Sequence, residues 1–412
     1  MAKQTKEKKL KNDLAIRTII FVFVVLALCC TFFFQEKVEN FVNFALNKDA
    51  PATVIDQDGM VFHFVDVGQA DSTIIEFPTG EVMVVDCGHY TSTSSQKFQS
   101  YLETIDLRYE NGEKVIDYLI LTHPDSDHIG GATYVFENYL VKNCYLPQIY
   151  YSEDGTSPNP GDVISTDERY GQVWALVESE VENFGCTKIY TSEFLTIESQ
   201  NFSKDQMNEN SSMWLVEFFT PVTGAHYTDG NTNLALTNEY SPIMIISYMG
   251  KKVMLTGDAG ETVETDFLKR VVDGTYGYPI SYFDIDVLKV GHHGSKYSST
   301  EEFLSVAMPE IAIISVGNNS YGHPASEVIA RLAQTGMNEM NIYRTDRNGN
   351  IAIGISQSGV LSLEADHVQY TLVEFKLWQI ILIAAGASAI IIYLPYVVKV
   401  VKIHKKAKKL KI

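Results

Sequence analysis

Apolar residues are distributed along this chain in two different ways. Near the ends they form unbroken runs, Thr18–Phe34 (TIIFVFVVLALCCTFFF) and Leu377–Val398 (LWQIILIAAGASAIIIYLPYVV), of 17 and 22 residues without a charged side chain. A helix needs about 20 apolar residues to cross a hydrocarbon core, with about 17 as the lower limit, so each run predicts a transmembrane helix. Between them the apolar positions fall into short β-rich runs. These lie at Val61–Val65, Ser72–Phe77, Val82–Val85, Val115–Leu121, Ile243–Ser247, Lys252–Leu255, Val287–Val290, Ile311–Ser315, Ile342–Arg344 and Ile351–Ile355. Helical patterns with polar starts intervene at Ser94–Thr104, His128–Leu140, Glu261–Val272, Thr300–Val306 and Ser326–Gln334. Strands that arrive in runs as well as in βα pairs predict an α/β domain of two mixed sheets covered by helices, not a simple doubly wound sheet. The Asp/Gly/Ser/Pro-rich Ser152–Thr166 and the polar Glu198–Ser212 mark residues 147–218 as an insertion with loops. The expected order is a tail over 1–13, a membrane helix over 14–34, a tether over 35–52 and the α/β domain over 53–363. A second tether over 364–376, a membrane helix over 377–398 and a tail over 399–412 complete it.

Charge sharpens this picture. The 412 residues carry 32 basic and 51 acidic side chains, formally −19. Residues 1–17 hold six basic groups against two acidic ones (+4), and residues 399–412 hold seven lysines and no acid (+7), which leaves −30 for residues 18–398. By the positive-inside rule both basic tails are cytoplasmic and residues 35–376 lie outside, with Trp378, Tyr393 and Tyr396 at interfacial depth. The expected location is therefore the cell membrane, two-pass, with an extracellular domain. The small-x-small triplet Ala50-Pro51-Ala52 lies too far past the first apolar run for cleavage, so that run reads as a signal anchor. Five cysteines in a chain of this length do not make a disulfide framework. Those outside (Cys87, Cys144, Cys186) allow at most one bridge and require none.

The densest chemistry is Leu119-Ile-Leu-Thr-His-Pro-Asp-Ser-Asp-His-Ile-Gly-Gly131. There an apolar strand ends in His123, Asp125, Asp127 and His128, and a glycine pair opens a helix. Imidazoles and carboxylates crowded on a strand-to-helix loop are what a divalent-metal site needs. Two more strand ends supply complementary groups: Val253-Met-Leu-Thr-Gly-Asp258, and Val287-Leu-Lys-Val-Gly-His-His-Gly-Ser295 with His292 and His293. In a sheet whose strands finish at one rim, such ends can meet. Taken singly, Asp258 would serve equally as the N-cap of the helix at Glu261, and the histidine pair as a hydrogen-bonded loop.

In this order the motifs resemble the metallo-β-lactamase superfamily, and within it the hydrolase domain of the ComEC competence proteins. Phe64-Val-Asp-Val-Gly-Gln-Ala-Asp-Ser-Thr-Ile-Ile75 is similar to that group's first strand pair and its DVGQGDS signature, with Ala70 where glycine is usual. Val84-Val-Asp-Cys-Gly88 is similar to its next strand-end motif, and the HPDSDHIGG, LTGD and HHGS motifs follow. Ser315–Pro324 (SVGNNSYGHP) and Tyr343–Gly349 (YRTDRNG) complete a resemblance that runs from about 60 to 363. It implies an αββα sandwich, flanked here by one transmembrane helix at each end, holding one or two divalent ions. The implied metal ligands are His123, Asp125, Asp127, His128, Asp258 and, from the histidine pair, His292. The superfamily's intermediate histidine has no clear match: Asn238 stands near its place, and His226 is the only nearby histidine. Three carboxylates with three imidazoles form a hard ligand set, which places Mn2+ beside Zn2+. The implied catalytic groups are Asp127, to orient or deprotonate a water, and His293 or His323, to protonate the leaving group. The backbone N–H groups of Tyr321–Pro324, before a helix starting near Ala325, are expected to hold a phosphate oxygen.

The implied function is a membrane-anchored, outward-facing metal-dependent hydrolase, phosphodiesters first. The resemblance makes DNA one candidate substrate. The −30 of residues 18–398 weighs against it, because DNA binding draws on several Lys or Arg contacts. A second reading keeps the chemistry and takes phosphocholine esters of cell-surface polymers; Tyr150, Tyr151, Trp174 and Trp214 are candidates for part of a cation-accepting pocket, with core packing the favoured reading of these aromatics. A third is a non-catalytic, ligand-binding member of the fold. Membrane and phosphoester are the expected partners, and the oligomeric state is left open.

Overall fold

The computed structural model describes residues 2–30, 55–156, 159, 162–228, 234–367 and 377–409. Two compact units divide the chain, residues 51–368 and the paired terminal segments. In the first, the strands in chain order are β1 Met60–Phe64, β2 Thr73–Glu76, β3 Val82–Val85, β4 Tyr109–Glu110, β5 Glu113–Ile120 and β6 Leu140–Leu146. Next come β7 Tyr150–Tyr151, β8 Ile164–Ser165, β9 Thr187–Tyr190, β10 Thr196–Glu198, β11 Trp214–Phe218 and β12 Met244–Tyr248. The last are β13 Lys251–Leu255, β14 Val287–Lys289, β15 Ile311–Ile314, β16 Ile342–Arg344, β17 Ile351–Ile355 and β18 Leu361–Ala365. One sheet has the order β18-β17-β1-β2-β3-β5-β6-β9, with β4 beside β5; the other runs β10 to β16 in sequence order. Parallel pairing begins at β3 in the first sheet and at β13 in the second.

Side-chain alternation explains why these sheets stack. Met60, Phe62 and Phe64 of β1 face Met244, Ile246 and Tyr248 of β12 and Val253 and Leu255 of β13 in one buried layer between the sheets. Full burial of a side chain such as Phe62 contributes about 2 kcal/mol, so this layer fixes the two sheets against each other. Residues of opposite parity point outward. Ile74, Val84 and Leu119 meet helices Ser92–Leu102, Ala132–Asn138 and Glu168–Phe184 through Phe98, Val135 and Val173. Ile245, Met254 and Leu288 meet helices Glu261–Val272, Glu301–Ala307 and Ser326–Gln334 through Phe267, Phe303 and Val328. The result is a four-layer αββα sandwich.

Residues 147–218, expected as an insertion with loops, contribute strands to both sheets, β9 pairing with β6 and β10 and β11 joining β12, while β7 and β8 pair with each other. Helix Glu168–Phe184 among them buries Tyr170, Val173 and Val177 on one face; Asp167 accepts the Tyr170 N–H at its start, and Gly185, at φ 75°, closes its end. The expected helix over His128–Leu140 is two pieces, Ser126–Ile129 and Ala132–Asn138. The break at Gly130 permits a close backbone approach: its N–H donates to Gly88 O at 2.9 Å, and a Cβ there would sit 2.1 Å from Tyr90 N. At the far end β18 continues to Ala365, past the expected boundary at 363. The 35–52 tether, and residues 368–376 of the other, lie outside the described residues.

In the other unit, helices Ala2–Cys30 and Leu377–Lys409 pack antiparallel. Lys399 Nζ meets Asp13 Oδ2 at 2.9 Å, Tyr393 Oη donates to Thr18 Oγ1 at 3.2 Å, and the Arg17 guanidinium bonds the Ile392 carbonyl. Among the described residues one segment, Ile381–Lys402, is long and apolar enough to cross a membrane. The expected second span is not matched there, because the run Thr18–Phe34 leaves the described residues after Cys30.

Candidate metal centre

The loops that follow β1, β3, β5, β13 and β14 converge at one rim of the sandwich, bringing Asp71, Asp86, His123–His128, Asp258 and His292–His293 together. His123, His128, Asp258 and His293 are buried. His128 Nε2 lies 3.2 Å from Asp258 Oδ1, and His293 Nε2 lies 3.4 Å from Asp127 Oδ2 and 3.6 Å from Asp258 Oδ2. Four overlapping groups result, His123/His128/Asp258, Asp127/His128/His293, Asp71/Asp258/His293 and Asp71/Asp86/His128, whose ligand atoms within each group lie within 4.8 Å of one another. His123 Nε2, His128 Nε2, His293 Nε2 and Asp258 Oδ1 are buried without a well-formed hydrogen bond, and meet one another or neighbouring carboxylates only in ion-pair contacts of 3.2–3.8 Å. Buried polar atoms are ordinarily satisfied, and leaving one unpaired costs about 1–3 kcal/mol. A divalent cation held by His123, His128 and Asp258 would satisfy three of these atoms, and one held by Asp127, His128 and His293 would satisfy the fourth, so the residues present fit a metal.

Outer contacts aim these atoms inward. Asp86 Oδ2 lies 2.6 Å from His128 Nδ1 and also accepts the Thr122 hydroxyl at 2.7 Å. His293 Nδ1 donates to the Ser315 carbonyl at 2.8 Å, and Ser241 Oγ lies 3.2 Å from His123 Nδ1. Partners of this kind fix a histidine's tautomer and leave Nε2 free for an ion. The backbone is bent to the same end: Asp86, His292 and His293 hold φ of 60°, 49° and 53°. Non-glycine residues in this left-handed region cost about 1–3 kcal/mol each and cluster at functional sites.

Electrostatics without a metal follow from the crowding. Burial lowers the His123 pKa. Burial would also lower His128, but Asp258 and Asp86 on either side raise it well above the usual histidine range. Asp258 would be raised by burial, yet the neighbouring His128 and His293 hold it well below the carboxylate range. His293 is raised, against its burial, by Asp258 and Asp127. Ligation requires neutral imidazoles, so a cation would displace these protons.

The remaining sequence-derived residues fall as follows. Asp125 Oδ2 stands 3.8 Å from His123 Nε2 on a side chain 42% exposed, outside all four groups. His292, expected as the ligand of its pair, is 30% exposed and 3.7 Å from Asp258, again outside the groups, and Asn238 Nδ2 is 3.4 Å from its ring nitrogens. His293, expected as a proton donor, is the one that turns inward. The His323 ring centre is 5.5 Å from that of His292. The expected phosphate-holding role of the Tyr321–Pro324 backbone is corrected: the N–H groups of Tyr321, Gly322 and His323 all donate to Asn319 Oδ1, at 3.1, 3.0 and 3.0 Å. For the aromatics weighed as a cation pocket, Trp214 follows the favoured reading of core packing. Lys188 Nζ already sits 4.9 Å from the Trp174 ring, and Trp214 is buried in a stack on Phe77 at 4.0 Å. His226 lines a separate cavity of about 340 Å³ with Tyr150, Tyr190 and Tyr240.

Sequence reasoning did not single out Asp71, Asp86 or Lys289. Lys289 is buried, in ion-pair contact with Asp71. For Asp86 and Lys289 the signal was a charged residue at the end of an apolar strand, as in Val84-Val-Asp86, whereas Asp71 stands in the loop just before β2. Beside Asp127 a cavity of about 480 Å³ is lined by Gln69, His89, Lys97, Asn319 and Tyr321. Across Ser126 lies a second of about 650 Å³, lined by Tyr90, Arg169 and Gln172.

The family model for the metallo-beta-lactamase superfamily matches residues 65–185 and 234–318, about half of the chain. ComE operon protein 3 of Bacillus subtilis is 28% identical over 298 residues, covering 70% of this chain and 32% of that protein. Recombination protein 2 of Haemophilus influenzae is 28% identical over 270 residues, covering 65% of this chain and 26% of that protein. Competence protein ComA of Neisseria gonorrhoeae is 25% identical over 250 residues, 60% of this chain and 27% of that protein. The chain thus spans about a third or less of the length of these relatives. Together with the αββα layers and the rim of histidines and aspartates, these matches place the chain in the metallo-beta-lactamase superfamily, in a ComEC-like form of that fold.

Proposed function

We propose that this protein is a membrane-anchored, outward-facing, metal-dependent hydrolase of phosphodiesters. The observation that supports the chemistry most is the convergence of buried ligand atoms on His123, His128, Asp258 and His293 that make no well-formed hydrogen bond. Asp127, His128, Asp258 and His293 would hold one Zn2+ or Mn2+ ion. A second position, at His123, His128 and Asp258, is less complete, because Asp125 stands 3.8 Å from His123 on a half-exposed side chain and no further imidazole joins it among the described residues. A bound divalent cation lowers the pKa of a coordinated water and offsets negative charge on an attacked ester. Asp127, 29% exposed between His293 and the adjoining cleft, is placed to orient that water and accept its proton. His292 and His323 stand at the outer edge and can pass a proton to the leaving group. Burial lowers both, so this step favours mildly acidic conditions.

The clefts beside Asp127 carry few cations. Lys97 pairs with Asp66 at 2.6 Å, and Arg169 stands beside Asp167 and Glu168. Such a lining suits a short phosphodiester segment more than a long duplex, whose binding would use many basic contacts. DNA remains a substrate to test alongside small diesters. The antiparallel terminal helices put both basic tails at the same end, which supports cytoplasmic termini and an outer catalytic domain. The direct test is a substrate panel of single-stranded DNA, small diesters and phosphocholine esters with His128→Ala and Asp258→Ala. The reading expects diester cleavage to fall with both substitutions. Cleavage that survives both, or activity confined to choline esters, would overturn it.

A further inference from the structure

Lys289 ends β14 on the same side as Val287, which lies in the layer between the sheets. A lysine 2% exposed in such a layer is costly unless its charge is matched. The match comes from the other sheet: Lys289 Nζ contacts Asp71 Oδ2, in the loop between β1 and β2, and donates to Gly257 O at 3.0 Å. Gly257 immediately precedes Asp258. On its own side Asp71 is tied into the first sheet's motifs through its backbone. Its N–H donates to Asp127 O at 3.1 Å, and its carbonyl accepts the Gly88 N–H at 2.8 Å. A continuous path therefore runs from Asp258 through Gly257, Lys289 and Asp71 to Asp127, crossing between the sheets directly beside the metal ligands. Asp71 also offers an oxygen within 4.8 Å of ligand atoms of Asp258 and His293.

From this geometry we infer that the Asp71–Lys289 pair is a positioning crossbar for the metal centre. It holds Asp127 and Asp258, carried by different sheets, at ligating separation, and it keeps the Asp71 carboxylate from competing as a ligand. Both residues act through others and are positioning residues, not catalytic ones. The inference rests on the metal-hydrolase reading of the same site.

The test uses the full chain with Lys289→Met, Asp71→Asn and the double variant. Zn2+ affinity is measured by chelator competition well below the melting temperature, beside kcat and KM for bis(p-nitrophenyl) phosphate. Each single variant should weaken Zn2+ binding ~10–100-fold and lower kcat more than it raises KM. The double variant, with no unpaired charge left, should regain melting temperature without regaining Zn2+ affinity. A double variant that regains both would mean the pair is only structural and would overturn the inference. Where these variants do not fold, Lys289→Arg decides, since it keeps the charge and displaces the geometry. A several-fold weaker Zn2+ affinity in the folded protein is expected, and unchanged affinity would overturn the crossbar. Wild-type protein that binds no Zn2+ would instead defeat the metal-site reading itself, a distinguishable result.

Discussion

Asp86→Asn probes the centre through a residue that touches no substrate. The carboxylate takes Thr122 N–H at 2.9 Å on Oδ1, and Thr122 Oγ1 at 2.7 Å with His128 Nδ1 at 2.6 Å on Oδ2. An asparagine that keeps the Thr122 N–H bond turns its NH2 towards His128 Nδ1–H, placing donor against donor. His128 must then tilt or change tautomer, and the second course presents Nε2–H where a metal needs a lone pair. Losing one charge-assisted hydrogen bond is worth about 1.5–3 kcal/mol. Changes to such outer partners cost ~10–100-fold in metal affinity, or about 1.4–2.7 kcal/mol. The two ranges overlap, and a Zn2+ Kd weakened ~30-fold is the expected centre. Asparagine tolerates the left-handed backbone at position 86, φ 60°, so the substitution adds little strain of its own. The assay is Zn2+ competition against a fluorescent chelator, with circular dichroism to establish folding. A folded Asp86→Asn protein with wild-type Zn2+ affinity would refute the reasoning.

Other outcomes follow from the same geometry. His293→Ala should weaken Zn2+ binding at least ~100-fold and His292→Ala less than ~10-fold, read by the same titration; the reverse order would return the ligand role to His292. In metal-free protein the raised His128 contributes stability that is complete below its unfolded value of 6.5 and is lost as pH rises through its higher folded value. Zn2+ affinity should strengthen over that same interval as the proton leaves, so denaturant melts in chelator and Zn2+ titrations across it should trend oppositely; parallel trends would contradict this. Cys87, Cys144 and Cys186 are buried, so topology is best read from introduced cysteines. An impermeant maleimide added to intact cells should label Gln357→Cys and spare Asn12→Cys, and labelling of Asn12→Cys from outside would invert the orientation.

The strand ends were legible because apolar strands that stop on imidazoles and carboxylates are unlike ordinary strand ends. His123, Asp127 and His128 stood out together on one loop, with Asp125 beside them that the fold leaves half-exposed; Asp258 stood out only in company with the other strand ends. Which of His292 and His293 turns inward was not legible, since both occupy a left-handed turn and no alternation rule applies there. Asp71 and Lys289 look like ordinary polar residues until two sheets close over them, so their pairing exists only at the level of packing. The strands TKIY and TIE of β9 and β10 are short and partly exposed at sheet edges, which removes the alternation that revealed β1 and β13. The N–H groups near His323 seemed free in the sequence because nothing there shows that Asn319 folds back onto them.

The central claim is that the cluster around His128 and Asp258 is a metal centre that hydrolyses phosphodiesters. Its most direct test is bis(p-nitrophenyl) phosphate turnover by the purified full chain before chelation, after chelation, and after Mn2+ or Zn2+ is returned. Turnover should vanish on chelation and return with the metal in the wild type, and should not return in His128→Ala or Asp258→Ala. Turnover indifferent to chelation, or a folded wild-type protein that binds neither metal, would contradict the account.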